Sequence, residues 1–294
     1  MLAAGPDILH SPFILRRGEK SIDLSSRTHI MGVLNVTPDS FSDGGKFFDK
    51  EQAVAHALQM VRDGADIIDV GGESTRPKGP YGEGAEEVTA DEEIRRVVPV
   101  IEELSSRSDV LISVDTYKSA VADAALRAGA AIVNDISGLN YDAAMASVAA
   151  AHGAALIVMH IQGTPKTMQH DPVYKNVVEE VKESLSRSVE KARDAGVENI
   201  LVDPGIGFGK RLEHNLSLIR NLHRLAELHC PIVIGPSRKG FIGTLLNLPV
   251  DQRVEGTAAA VAASVIYGAN IVRVHDVKEM KRIAVVVDAI MEAR

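Results

Sequence analysis

The chain has 294 residues, 45% of them apolar and 24% charged, the balance of a folded globular protein rather than a disordered or fibrous one; the length suits two average domains or one barrel-sized fold. No run approaches the roughly 18 apolar residues that a bilayer span needs, and 32 basic against 40 acidic residues leave a net charge of −8, so a membrane partner and a broad nucleic-acid footprint are both excluded as expectations. The lone cysteine, Cys230, rules out an internal disulfide and a cysteine-based zinc site, and with no basic-then-apolar leader pattern at the start the expected compartment is a reducing cytoplasm.

Along the chain, the turn pair Gly18-Glu19 between apolar residues 13–15 and 22–24 predicts a hairpin ahead of the first strand, placed to plug a barrel floor. Eight short apolar runs follow, at 30–34, 67–70, 110–114, 131–133, 155–159, 200–202, 232–234 and 271–274. None alternates apolar with polar over a useful length, the habit of strands buried on both faces of a parallel sheet. Between them, Ile94, Val97, Val98, Ile101 and Leu104 repeat at helical spacing, as do Val177, Val181, Leu185 and Val189. Further helical patterns cover 52–62, 119–127, 143–151, 213–228, 253–267 and 278–291. This alternation predicts an α/β fold, a single (β/α)8 TIM barrel with an N-terminal β-hairpin spanning 1–294 as one domain; a doubly wound open sheet is the competing topology.

Each strand ends in hydrogen-bonding or charged residues: Asn35, Asp69 with Glu73, Asp115, Asn134 with Asp135, His160, Asp203, Ser237 with Lys239, and Arg273 with His275. Any one of these is explained by helix capping. Eight together point to the carboxyl-end rim where barrels keep their chemistry. The connections 36–46 and 74–92 are long and polar enough to act as lids, with 81–87 read as a surface insertion. Gly205-Ile206-Gly207-Phe208-Gly209-Lys210 fails the P-loop test, because only three residues separate its flanking glycines and Arg211 follows the lysine; its glycines fit a tight turn. The turn 235–240 ahead of helical residues 241–246 offers free N–H groups, and Arg238, Lys239, Arg273 and His275 supply four potential cations for an anionic ligand. The ten histidines show no zinc spacing, which leaves room for Mg²⁺, a cation content with one or two protein oxygens plus substrate phosphate.

Four motifs resemble those of the bacterial dihydropteroate synthases: Asn35-Val36-Thr37-Pro38-Asp39-Ser40-Phe41-Ser42-Asp43-Gly44-Gly45, Gly71-Gly72-Glu73-Ser74-Thr75-Arg76-Pro77, Asp203-Pro204-Gly205-Ile206-Gly207-Phe208-Gly209-Lys210 and Ser237-Arg238-Lys239. The resemblance runs from about Ile30 to Glu292, with the motifs in family order. It implies a (β/α)8 enzyme of folate biosynthesis, the target of sulfonamides, that joins p-aminobenzoate to 6-hydroxymethyl-7,8-dihydropterin diphosphate with Mg²⁺ assisting, releasing 7,8-dihydropteroate and diphosphate. It also implies a cytoplasmic homodimer that takes small-molecule substrates and neither nucleic acid nor membrane.

By this resemblance Asp115, Asn134, Asp203 and Lys239 hold the pterin, whose alternating donor and acceptor edge Asp and Asn can match. Asn35, Arg273 and His275 form the diphosphate and metal set, Asn35 being the metal ligand, and Thr75, Arg76 and Ser237 contact substrate. Phe208, Pro77 and Lys239 flank the p-aminobenzoate ring, and Phe41 closes over it. Asp115, Asp43 and Lys239 are the expected catalytic residues, serving a dissociative displacement in which diphosphate leaves before the arylamine attacks. Two departures stand out: residues 78–84 lengthen the second loop, and Gly240 stands where many members have Ser. A pterin-dependent methyltransferase module or a non-catalytic pterin binder are the alternatives, and both leave the diphosphate set without a use.

Overall fold

In the computed structural model, residues 13–17, 20–36, 46–74 and 88–293 are described. Phe41, Asp43, Thr75, Arg76, Pro77 and the 78–84 extension lie outside them. The strands are β1 (Ile14–Arg17), β2 (Lys20–Asp23), β3 (His29–Asn35), β4 (Ile67–Gly71), β5 (Leu111–Asp115), β6 (Ile132–Asp135), β7 (Ala155–Met159), β8 (Ile200–Asp203), β9 (Val233–Ile234) and β10 (Ile271–Val274). The helices are α1 (Lys46–Arg62), α2 (Ala90–Arg107), α3 (Ser119–Arg127), α4 (Met145–Ala151), α5 (Val177–Asp194), α6 (Leu212–Arg220), α7 (Gly240–Leu246), α8 (Val254–Ile266) and α9 (Val277–Glu292).

Strands β3 to β10 pair in parallel, in the order β8-β7-β6-β5-β4-β3-β10-β9. A parallel bridge between Val202 and Ile232, with the Val202 N–H donating to Pro231 O at 3.0 Å, joins the two ends. The sheet is therefore the closed (β/α)8 barrel rather than an open doubly wound sheet.

The side-chain period of two sorts each strand into two cores. Ile30, Leu34, Ile68, Val70, Ile112, Val114 and Val133 face out, into one cluster with the buried faces of the helices. Met31, Ile67, Leu111, Ile132, Ile157, Leu201, Val233 and Ile271 face in and form a second cluster with Leu15 and Leu24. The β1–β2 hairpin thus closes the amino-end of the barrel, as its sequence predicts.

One expected helix is broken. Residues 213–228 form α6 and then a separate 3₁₀ turn at Leu222–Leu228. At the break, the Asn221 backbone N–H and its Nδ2 both donate to the Ser217 carbonyl, at 3.0 and 2.8 Å. No described helix is long and apolar enough to cross a membrane.

Candidate active site

Moving two residues along the inner face of these strands turns it from apolar to polar or charged. Ile67 gives way to Asp69, Leu111 to Ser113, Ile132 to Asn134, Leu201 to Asp203 and Ile271 to Arg273. Another two residues bring Asn35 and Asp115 to the ends of β3 and β5, with Asn35 exposed. Asp115 is the register partner of Asn134, and Asp69 that of Ser113. The same parity sends Asp135 away from the mouth. Asp135 follows the inward Asn134, faces out, and accepts from the Ser137 and Leu139 N–H groups. Glu73 pairs with Lys118 and accepts from the Tyr117 hydroxyl.

At the centre, the Arg273 fork donates from Nε to Asp69 Oδ2 and from Nη2 to Asp115 Oδ2, both at 2.6 Å. Asp69 is fully buried and also accepts from Asn134 Nδ2 at 3.0 Å. One carboxylate therefore orients both a guanidinium and a carboxamide. Asp69 is the organising residue at the mouth that strand-end reasoning underrates, and its signal is a charge inside the apolar run 67–70, which is costly to bury without a partner.

Burial raises Asp115 to about 7 against the pull of Arg273. Burial likewise raises Asp203 to about 6, opposed by the Gly205 N–H, which donates to Asp203 Oδ1 at 2.7 Å, and by Lys239. Lys239 is lowered to about 8, first by burial and then by Arg273, while Asp203 and Asp115 pull it back up. Its ammonium lies 4.1 Å from the centre of the Phe208 ring, within cation–π range. Asp115, Asn134, Asp203, Lys239, Phe208 and Arg273 are thus brought to one end of the barrel.

Only two of the four expected cations, Lys239 and Arg273, stand at the mouth as cations. Arg238, at φ 57°, is drawn away to Asp276. His275 is held neutral, lowered to about 3 by burial and then by Arg273. With the ring proton on Nε2, Ser237 acts in both directions: its hydroxyl accepts from the His275 backbone N–H at 3.2 Å and donates to Nδ1 at 3.1 Å.

No group of three His, Cys, Asp or Glu suited to a metal occurs among the described residues. A methyl group on Gly71 would meet Asp115 Oδ2 at 3.7 Å and Asn35 Oδ1 at 3.9 Å. Hard oxygens at the rim fit a cation that takes most of its ligands from water and substrate.

The closed barrel and its charged, partly desolvated carboxyl-end mouth define a (β/α)8 enzyme class, and residues 31–275 match the family model described as pterin binding enzyme. The chain is 48% identical to the dihydropteroate synthase of Clostridium beijerinckii over 280 residues, covering 94% of this chain and 99% of the relative. The crystal structure of Yersinia pestis dihydropteroate synthase in a sulfonamide drug complex is similar at a TM-score of 0.88 and 44% identity, covering 95% of this chain and all of that one. Xanthomonas albilineans dihydropteroate synthase with 4-aminobenzoic acid also superimposes at 0.88, with 39% identity, 97% of this chain and all of that one. The chain belongs to the dihydropteroate synthase family.

Proposed function

We infer that this protein condenses 6-hydroxymethyl-7,8-dihydropterin diphosphate with p-aminobenzoate, giving 7,8-dihydropteroate and diphosphate. The observation that carries this reading is the Asp69–Arg273–Asp115 assembly, with Asn134 on the same carboxylate and Lys239 above Phe208. Asp115, Asn134 and Asp203 offer acceptors and donors on one inner wall, the complement a pterin edge requires. Lys239 and Ser237 stand beside them, and Phe208 supplies the apolar face for the arylamine. Arg273 carries five N–H donors, of which two engage carboxylates; the others, with His275, would meet the diphosphate. From the two loops outside the described residues, Asp43, Thr75, Arg76 and Pro77 complete the proposed set.

In the reaction the C–O bond to diphosphate breaks with its electron pair leaving on oxygen, the arylamine lone pair forms the C–N bond, and the amine gives up a proton. Asp115 and Asp43 stabilise positive charge developing on the pterin methylene. Asn35 would hold Mg²⁺ together with substrate oxygens, and that ion would offset charge on the departing diphosphate. Incubating the purified protein with both substrates and Mg²⁺ should yield pteroate, detected by mass, and one equivalent of diphosphate; EDTA should suppress both. Release of diphosphate without pteroate, or no reaction, would overturn the reading.

A homodimer is proposed on the exposed face of α9. Val285, Val286, Ile290 and Met291 are between 49% and 65% exposed there, and Ile266 of α8 is 39% exposed. Such an apolar strip is what an isologous contact buries. Sedimentation velocity should give twice the 31.5 kDa chain mass, and a monomer at micromolar concentration would refute it. The buried Cys230 suits a cytoplasmic protein.

A further inference from the structure

The Gly205–Lys210 motif contributes Phe208 to the mouth, but its last residue is buried behind it. Lys210 is 4% exposed. Its ammonium donates to Phe208 O and His160 Nδ1 at 2.9 Å each and to His160 O at 3.3 Å. All three are neutral acceptors. His160, lowered to about 3 by burial and then by Lys210, is uncharged, so Nδ1 accepts when the ring proton sits on Nε2. Three acceptors match the three donors of an ammonium. Burial lowers Lys210 to about 7, and the charge of Asp203 opposes the loss. Burying a cation among neutral acceptors is costly where an apolar side chain would pack as well, so packing alone does not account for this lysine.

The loop it holds is under close constraint. Gly205, Gly207 and Gly209 all have positive φ, at 69°, 84° and 63°. A Cβ on Gly205 would lie 1.9 Å from His160 O, one on Gly209 2.6 Å from Gln162 O, and one on Gly207 3.1 Å from the Lys239 Cδ. The loop is therefore pressed between the end of β7 and the Lys239 stem. Neutral donors hold its other carbonyls: Gln169 Nε2 bonds Gly207 O and the Tyr174 hydroxyl bonds Gly209 O, both at 2.8 Å. Phe208 O, on the residue whose ring meets Lys239, is bonded by the ammonium instead.

We propose that Lys210 is a positioning residue for p-aminobenzoate: by tying Phe208 O to His160 at the end of β7, it fixes the Phe208 ring against Lys239. This rests on the reaction proposed above. Its test separates the two, because failure of the wild-type protein to make pteroate removes that reaction, whereas Lys210 is judged only on a working enzyme. In Lys210→Met, which removes all three bonds, the KM for p-aminobenzoate should rise about tenfold or more, the effect of losing the charge-assisted hydrogen bond that holds Phe208 O. The KM for pterin diphosphate and kcat should stay within about threefold. A purely structural role would lower active enzyme without splitting the two KM values. His160→Leu removes the ring acceptor, together with the ring's contact to Tyr174, and keeps the carbonyl acceptor; it should shift the same KM in the same direction, while His160→Asn, which restores an acceptor but not the ring, should recover most of it. A folded Lys210→Met with unchanged p-aminobenzoate KM, or with both KM values raised equally, overturns the proposal; should that variant be insoluble, an unchanged KM in His160→Leu does so.

Discussion

Asp115→Asn should lower kcat by about 10²- to 10³-fold, the size of losing one preorganised electrostatic group at a developing charge. The replacement keeps the shape and leaves an amide oxygen that can still accept from Arg273 Nη2, so the Asp69–Arg273 pair and the fold should survive. What it removes is the negative charge. Burial raises Asp115 to about 7, so its ionised fraction, and with it kcat, should climb as pH rises through that region. Asp203, raised to about 6, titrates beside it, and the acid limb therefore reports the coupled set rather than one residue. In the Asn variant the upper part of that limb should flatten.

Stability provides an independent reading of the same group. A carboxyl whose folded pKa exceeds its unfolded value binds more protons when folded, so its contribution is present at low pH and lost as pH rises from about 4 to 7. The wild-type protein should lose this increment across that window and Asp115→Asn should not. Steady-state kinetics from pH 5.5 to 9, with urea unfolding at matched pH, measure both effects. A variant turning over within threefold of wild type at saturating substrates would remove Asp115 from the mechanism.

Much of this site was legible because a barrel imposes one rule on every strand. Apolar runs bounded by turns locate the strands, and polar residues at their carboxyl ends mark the rim, as Asn35, Asp115, Asn134 and Asp203 do. Direction was harder to read. Whether a strand-end side chain enters the mouth depends on its parity with the inward residues, and a shift of one position separates Asn134 from Asp135. Beyond the last ladder pair the parity rule fades, so Arg238 could be counted as a site cation although its positive φ turns it to Asp276. Asp69 and Arg273 were each visible as a charge within an apolar run, 204 residues apart. Their pairing needed closure of the barrel, which places β10 beside β3 and β3 beside β4.

Removing Arg273 should therefore cost the fold as well as the reaction. In Arg273→Met, Asp69, which has no solvent exposure, loses the bond at 2.6 Å to Nε and keeps only the Asn134 amide, while Asp115 loses its bond to Nη2. Breaking a buried pair from one side typically costs about 3–5 kcal/mol, because the remaining charge is left uncompensated. The deficit should depend on pH with a definite sign. Arg273 is the largest influence holding the Asp115 pKa down, so without it that carboxyl rises further and takes up a proton at higher pH. Protonation relieves the uncompensated charge, and the stability gap to wild type should narrow as pH falls from 8 to 6. Lys239 should shift too: Arg273 is the second cause of its lowered pKa, after burial, so its ammonium should be retained to higher pH in the variant. Differential unfolding in urea at pH 6, 7 and 8 measures the gap, and product assays measure the loss of the diphosphate contacts proposed for Arg273. A gap that is constant or widens toward acid would mean that Asp69 and Asp115 are not the groups Arg273 neutralises, and with that the electrostatic account of the mouth would fail.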